Sequence, residues 1–263
     1  MVPGYLTHCT SGTSMSFVDY FGAQAPAYAA FRPTYPEAMI AWLATRAPGR
    51  QLAWDCGTGS GQVALALAPH FVEVVGTDAS VAQLTQARAA PNLRYWAAAA
   101  EACGLPDGCV DLITVAQALH WFDIAAFHRE VRRVARPGAL LAEWCYALLE
   151  VDDVGLSRTL ARFHDEIVGP YWPEERRAVM EGYAGLPFPF PRLPSPPFAM
   201  TARWTRGQLA GYLRTWSATQ RYREAQGEDP VARWEEEAAP HWEQADQRRE
   251  VRWPLALRVG RVE

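Results

Sequence analysis

The sequence predicts an α/β fold built on a mostly parallel sheet, and three observations carry that expectation. The stretch 51–61, QLAWDCGTGSG, is a short apolar run ending in an acid and three alternating glycines, the pattern of a buried strand feeding a tight turn. A second apolar run, 71–77, ends in another acid, Asp78, about 20 residues beyond the first glycine. Further short apolar runs at 93–97, 110–116 and 139–144 alternate with helical patterns, as parallel strands joined by crossover helices require.

Composition sets the frame. With 263 residues, 49% of them apolar and 21% charged, the chain can bury one substantial core carrying an appended subdomain. A net charge of −4 and a pI near 5.9 give no global attraction to phosphate backbones, so no nucleic-acid partner is expected. The five cysteines have neither zinc-like nor redox spacing, which predicts buried reduced thiols, no metal site and a cytoplasmic setting. Residues 1–15 read as a loose extension without a signal-peptide pattern, and Met15 is a second possible start. No apolar run is long enough to span a bilayer, so no membrane association is expected.

Along the chain, 16–36 is an arm with Phe17, Tyr20, Phe21, Tyr28, Phe31 and Tyr35 around one cation, Arg32. Read from its residues alone, it seals a hydrophobic edge. A helix over 37–46 follows, stopped by Pro48-Gly49. After the first strand, Gly57, Gly59 and Gly61 permit positive φ or close approach of a ligand, and 62–68 forms a helix. Their spacing of two excludes the dinucleotide pattern G-x-G-x-x-G. Asp78 can accept both hydroxyls of a ribose, and Ser80 caps a helix expected to run to residue 89. The strand 110–116 should lie beside the first and carry residues 117–121 to its carboxyl end, where ligands of open parallel sheets bind. That puts His120 and Trp121 at the mouth of the site, His120 as a base or as a structural hydrogen-bonder. A helix at 124–135, a turn at 136–138 and a fifth strand at 139–144 complete this half.

Beyond 150 the patterns weaken. Helical periodicity at Leu156, Leu160, Phe163 and Ile167 precedes a stretch, 186–197, with proline at nearly every second position. We read 151–197 as a helical cap with a rigid linker, and 198–263 as completing the sheet begun in the binding core 16–150. Tyr171, Trp172, Phe188 and Trp216 either line an acceptor pocket or seal a subdomain core. A sixth strand is expected at 198–204, helices at 206–225 and within 228–247, and a last strand at 251–262 with a bulge or late start after Pro254.

Several motifs together resemble a known family. The acid of Asp55 before Gly57, Gly59 and Gly61, the Y-x-x-x-R-P-x-Y-P of Tyr28 to Pro36, the A-E-x-x-x-L-P from Ala100, the A-x-x-L-H-W-F from Ala116 and the R-P-G-x-L from Arg136 look like those of type 11, class I S-adenosylmethionine methyltransferases related to trans-aconitate methyltransferase. The resemblance implies a Rossmann-like, seven-stranded, mostly parallel sheet with a helical cap inserted after the fifth strand and an antiparallel last strand. It implies S-adenosylmethionine as cofactor, with Gly57, Thr58 and Gly59 against the methionine moiety, Asp55 at its ammonium, and Tyr28 and Arg32 near its carboxylate. It also implies Asp78 and Ala79 at the ribose, Ala100 and Glu101 at the adenine, and Ala116 and Gln117 at the strand end. His120 is then the catalytic candidate, and His120, Trp121, Tyr171 and Trp172 meet a small organic acceptor. An O-methyl transfer is expected; a carboxylate acceptor needs no base, whereas a hydroxyl needs one. The protein is expected to act as a monomer or homodimer. A nicotinamide-dependent oxidoreductase would share Asp78 but predicts G-x-G-x-x-G and a catalytic pair such as Tyr-Lys, in a sequence very poor in lysine. A non-enzymatic S-adenosylmethionine-binding protein would keep the fold without an open acceptor pocket.

Overall fold

The computed structural model describes residues 33–244 and 246–263, and the expectations for Tyr28 and Arg32 lie outside them. Strand β1 (Leu52–Cys56) is buried at four of its five positions, as an apolar run flanked by strands on both sides requires. It pairs in parallel with β2 (Glu73–Asp78) on one side and β4 (Val110–Ala116) on the other. β3 (Leu93–Ala97) adds beyond β2 and β5 (Ala135–Cys145) beyond β4, both parallel. β9 (Ala256–Arg261) closes the edge antiparallel to β5, giving the order β3-β2-β1-β4-β5-β9. The order therefore reverses between β1 and β4, and a crevice opens at their carboxyl ends.

Each face of the sheet has its own core. Ala53, Leu112, Leu140 and Ala142 pack under α1 (Glu37–Arg46), whose Met39, Ile40 and Leu43 are buried, and under α2 (Gln62–Leu67). The alternate positions, Trp54, Ile113, Val115 and Leu141, meet Phe127, Val131 and Val134 of α4 (Ile124–Val134). α4 is capped at its start by Asp123, which accepts from Ala126 N at 3.0 Å.

The central sheet has six strands, not seven. The expected sixth strand, β7 (Ala199–Trp204), joins β6 (Glu150–Val151) and β8 (Arg249–Pro254) in a separate antiparallel sheet ordered β6-β8-β7. The expected last strand is two strands that belong to different sheets. Pro254 has no N–H to offer a ladder, and Leu255 N donates to Phe198 O at 2.9 Å before the chain enters the central sheet. The cap also contains α5 (Val154–Arg162), a π-helical turn at Phe163–Ile167, α6 (Arg176–Met180), α7 (Arg206–Arg214), α8 (Ser217–Gln226) and α9 (Pro230–Ala238). Leu156, Leu160, Phe163, Leu209, Leu213 and Trp234 join the same core cluster as α1, so the cap and one face of the sheet are continuous.

Three other boundaries differ from expectation for local reasons. α3 (Val81–Leu84) is capped by Ser80 as read, but ends five residues early. Gln86 N and Ala87 N bond back to Gln83 O and Leu84 O, a tightened turn, and Pro91 follows. α4 ends at Val134 and β5 starts at once; Arg136-Pro137-Gly138 forms a bulge against Val110–Leu112, with Gly138 at φ +78°. The helix expected at 206–225 is two, broken where Thr215 Oγ1 donates to Tyr212 O at 2.6 Å.

One charge is fully enclosed. Glu143 on β5 is 0% exposed and accepts from Arg258 Nη2 on β9 at 2.6 Å, with His128 Nε2 at 3.3 Å. Arg258 Nη1 donates to Tyr183 O at 2.6 Å and Leu186 O at 2.8 Å, so this ion pair ties the sheet edge to the segment after α6. Among the described residues Cys56, Cys103, Cys109 and Cys145 are free thiols. Burial pushes Cys103 and Cys145 up to about 12, which leaves them protonated and inert. No helix among the described residues is long and apolar enough to cross a membrane, and no cluster of His, Cys, Asp or Glu there could hold a metal ion.

Candidate active site

The turn after β1 is shaped from below by Asp55. Its neighbours across the sheet are Gly76 and Thr114, and it is 1% exposed. One oxygen accepts from Thr58 Oγ1 at 2.5 Å and from Ala64 N at 3.2 Å; the other accepts from Thr114 Oγ1 at 2.8 Å. Burial, only partly offset by these bonds, raises its pKa from 3.8 to about 6. The carboxylate expected at the ammonium is thus directed into the protein and fixes the turn rather than facing the crevice. Thr58 N donates to Thr77 O at 2.9 Å, pinning the turn to β2 as well.

The glycines are required for different reasons. Gly57, at φ +66°, could not carry a side chain because its Cβ would lie 2.5 Å from Ala118 Cβ. Gly61 is similarly closed by the Tyr95 hydroxyl. Gly59, at φ +56°, is different. Among the described residues only Gln83 Oε1, at 3.7 Å, is near where its Cβ would stand, so the backbone there is bare of described neighbours.

Asp78 ends β2 beside this space. Its two oxygens accept from Gly59 N and Ser80 N, each at 2.8 Å, and Ala79 next to it is exposed. A carboxylate at this strand end can also accept from a ligand hydroxyl. Ala100 is buried, while Glu101 Oε1 accepts from Asp123 N at 2.9 Å, which holds the loop after β3 against the start of α4. Cys103 N donates to Glu130 Oε1 at 2.8 Å and fixes the other end of that loop.

At the end of β4, Ala116 is half-buried and Gln117 adopts φ +55°, an uncommon conformation for a residue with a side chain. Gln117 spends its amide on Tyr146, donating to O at 3.1 Å and accepting from N at 3.3 Å. The reversal turns the chain so that His120 meets the cap: its Nδ1 lies 3.1 Å from the Tyr183 hydroxyl. Trp121 packs at a tilt against His120 with ring centres 4.8 Å apart. Burial, reinforced by the charge of Arg176, lowers the His120 pKa from 6.5 to about 4. A cleft of about 420 Å³ adjoins it, lined by His120, Phe122 and Ile124 on one side and by Glu174, Ala178 and Leu186 on the other.

Of the cap aromatics, Trp172 lies beside His164, Trp216 and Arg176. Tyr171 turns elsewhere. It packs on Tyr222 and accepts from Gln226 Nε2 at 2.7 Å, so its described side-chain contacts are with α8. The structure therefore gathers Asp55, Gly57, Thr58, Gly59, Asp78 and Ala79 at one end of the crevice and His120 and Trp121 at the other, and leaves Tyr171 aside. Sequence reasoning missed Thr114, Tyr183, His164 and Arg176. Thr114 had a signal, since a hydroxyl inside a fully buried strand needs a partner; the cap residues had none.

An α/β sheet with this turn, this strand-end acid and this switch point defines a nucleoside-binding α/β enzyme, and the comparisons specify it. Residues 54–142 match the methyltransferase-domain family. A Dictyostelium discoideum protein named as a methyltransferase is 32% identical over 208 residues, 78% of this chain and 79% of its own. The chain thus belongs to the methyltransferase family, as a class I S-adenosylmethionine-dependent enzyme. The solved structure of an Anaeromyxobacter dehalogenans protein, described as a type II methyltransferase, superposes with a TM-score of 0.83 at 43% identity, covering 88% of this chain and 98% of that one. A Saccharomyces cerevisiae protein named as an S-adenosylmethionine-dependent methyltransferase is 25% identical, over 59% of this chain and 57% of its own. The site fits that cofactor: Gly59 offers backbone without a side chain, and Asp78 offers paired acceptors.

Proposed function

We propose that this methyltransferase acts on an oxygen of a small organic acceptor, a carboxylate or a hydroxyl, held between the ends of β4 and β5 and the cap. The observation that carries the reading is the contact of His120 with Tyr183, which closes a cap residue over the strand ends. A site covered in this way suits a small molecule and keeps water from the acceptor oxygen. S-adenosylmethionine, when bound, would supply a methyl group already activated for transfer to the acceptor oxygen. The protein's share is positioning. Gly57, Thr58, Gly59 and Asp78 hold the cofactor end, and Asp55 keeps that turn in shape. Trp121 and Tyr183 fix the ring of His120, which orients the acceptor. With a pKa near 4, His120 is neutral at physiological pH and a weak base, which favours an acceptor already ionised, a carboxylate. The finer likeness to trans-aconitate methyltransferases, carried by the motif from Tyr28 to Pro36, belongs to this same reading. The test is a screen of small carboxylic acids and phenols with methyl-labelled S-adenosylmethionine. Label is expected in a small extractable product; label found only in added protein or nucleic acid would overturn the reading.

A further inference from the structure

Among the described residues the cap holds four buried polar atoms without a partner, Trp234 Nε1, Trp242 Nε1, Arg176 Nε and His164 Nε2, and the last two lie against one ring. Arg176 Nε is closed off from solvent and donates to nothing, and among the described residues the guanidinium has no carboxylate partner. His164 Nε2 is also closed off and unpaired, in a side chain that is 4% exposed. Buried donors and acceptors are almost always paired, so two that lie against the same ring mark a place built for something else. Their chemistry is complementary. His164 Nδ1 lies 2.6 Å from Asp165 Oδ1; a carboxylate only accepts, so Nδ1 carries the proton and Nε2 the lone pair. Burial, opposed by Asp165, holds His164 below its ordinary pKa and so in this neutral form.

Both groups flank one ring. The Arg176 guanidinium carbon is 4.5 Å from the centre of Trp172, and the His164 ring centre is 5.3 Å from it. Trp216 lines the same corner, 5.5 Å from Trp172 and 5.6 Å from His164. The charge of Arg176 also acts on His120 and on Cys145, which ends β5, so the half-buried guanidinium is within electrostatic reach of the strand ends. His164 stands on the π-helical turn Phe163–Ile167, a distortion that often serves to re-aim a functional side chain. Glu174 and Glu175, just before α6, are exposed, and their charge is screened.

We propose that Arg176 and His164 form the recognition end of the acceptor site and select a small carboxylic acid that also carries a hydroxyl group. The guanidinium binds one oxygen of the carboxylate and leaves the other to receive the methyl group, His164 Nε2 accepts from the hydroxyl, and Trp172 and Trp216 bound the apolar part. The proposal rests on the small-acceptor reading above and narrows it. Arg176 and His164 act on specificity and leave the cofactor end untouched.

The test uses three probes that differ by one group each: mandelate, phenylacetate, which lacks the hydroxyl, and mandelamide, which lacks the charge. Each is titrated calorimetrically into the full protein with S-adenosylhomocysteine present. Mandelate should bind roughly 10- to 100-fold more tightly than mandelamide and about 3- to 10-fold more tightly than phenylacetate. Arg176→Met should erase the first difference, with Arg176→Lys keeping part of it; His164→Phe should erase the second, with His164→Gln keeping part. Unchanged S-adenosylhomocysteine affinity shows that each variant is folded. The proposal is overturned if the folded variants keep both differences, or if the wild type binds all three probes alike or none. The small-acceptor reading fails separately, by the absence of any labelled small product in the screen, whatever the titrations give.

Discussion

Replacing Asp55 by Asn tests the account of the glycine turn through pH. The native protein holds the Asp55 proton more tightly than the unfolded chain does, because burial outweighs the bonds from Thr58, Thr114 and Ala64. Stability from this group therefore falls as pH rises through the interval from 3.8 to about 6, and is constant above it. At 1.36 kcal/mol per unit, that interval corresponds to about 3 kcal/mol. Other carboxylates titrate over the same range, so the informative quantity is a difference. Urea unfolding of wild type and Asp55→Asn in parallel, from mildly acidic to neutral pH, removes the terms they share. The wild type should lose about 3 kcal/mol relative to the variant across the interval and nothing further above it. A flat difference would mean that the carboxylate is not desolvated. A wild type that gains on the variant as pH rises would mean that the three hydrogen bonds outweigh burial.

Three further expectations follow from named contacts. Asp78→Ala should weaken S-adenosylhomocysteine binding by on the order of 1.5–3 kcal/mol per charge-assisted bond lost, read by calorimetry; unchanged affinity in a folded variant would remove Asp78 from the ribose site. Glu143→Ala strands the buried Arg258 and should cost about 3–5 kcal/mol in urea unfolding, whereas the double change Glu143→Leu with Arg258→Met should cost much less; equal losses would mean that the ion pair only fills space. For His120, whose pKa is lowered to about 4, turnover should stay level as pH falls from neutral to about 5, and His120→Ala should act mainly on acceptor KM; a rate that falls through the ordinary histidine range and a loss confined to kcat would identify a general base instead.

The central sheet was legible because its signals are local. The strand Val110–Ala116 is apolar at five of its seven positions and was read to the residue. Ser80 was recognised as a cap, but the length of α3 depended on which carbonyls Gln86 and Ala87 would choose, and propensity does not decide that. Pro254 announced a break in the last strand. It did not say that the two halves would enter different sheets, since strand pairing is set by partners far away in sequence: Trp253 meets Met200, and Leu257 meets Trp144. At the site, position was readable and direction was not. Asp55 stands in the motif, yet the hydroxyl of Thr114 on the neighbouring strand turns its carboxylate inward. Glu143 carries no local sign of its burial as an ion pair, because its counterion Arg258 lies on another strand.

The single residue between β8 and β9 has a mechanical meaning. Leu255 is a covalent strut joining the two sheets, and six registered residue pairs anchor the chain on each side of it. A rigid swing of the whole cap away from the strand ends would bend the chain at Leu255 and leave both ladders whole, but it would have to open the core that Leu156, Leu209 and Trp234 of the cap share with α1. Exchange of acceptor and product therefore has to proceed through small local displacements, such as those of α6 and the segment carrying Tyr183, while the frame of both sheets stays fixed. A crosslink across β7 and β8 should accordingly leave turnover intact, and one that ties α6 to the loop bearing His120 should stop it.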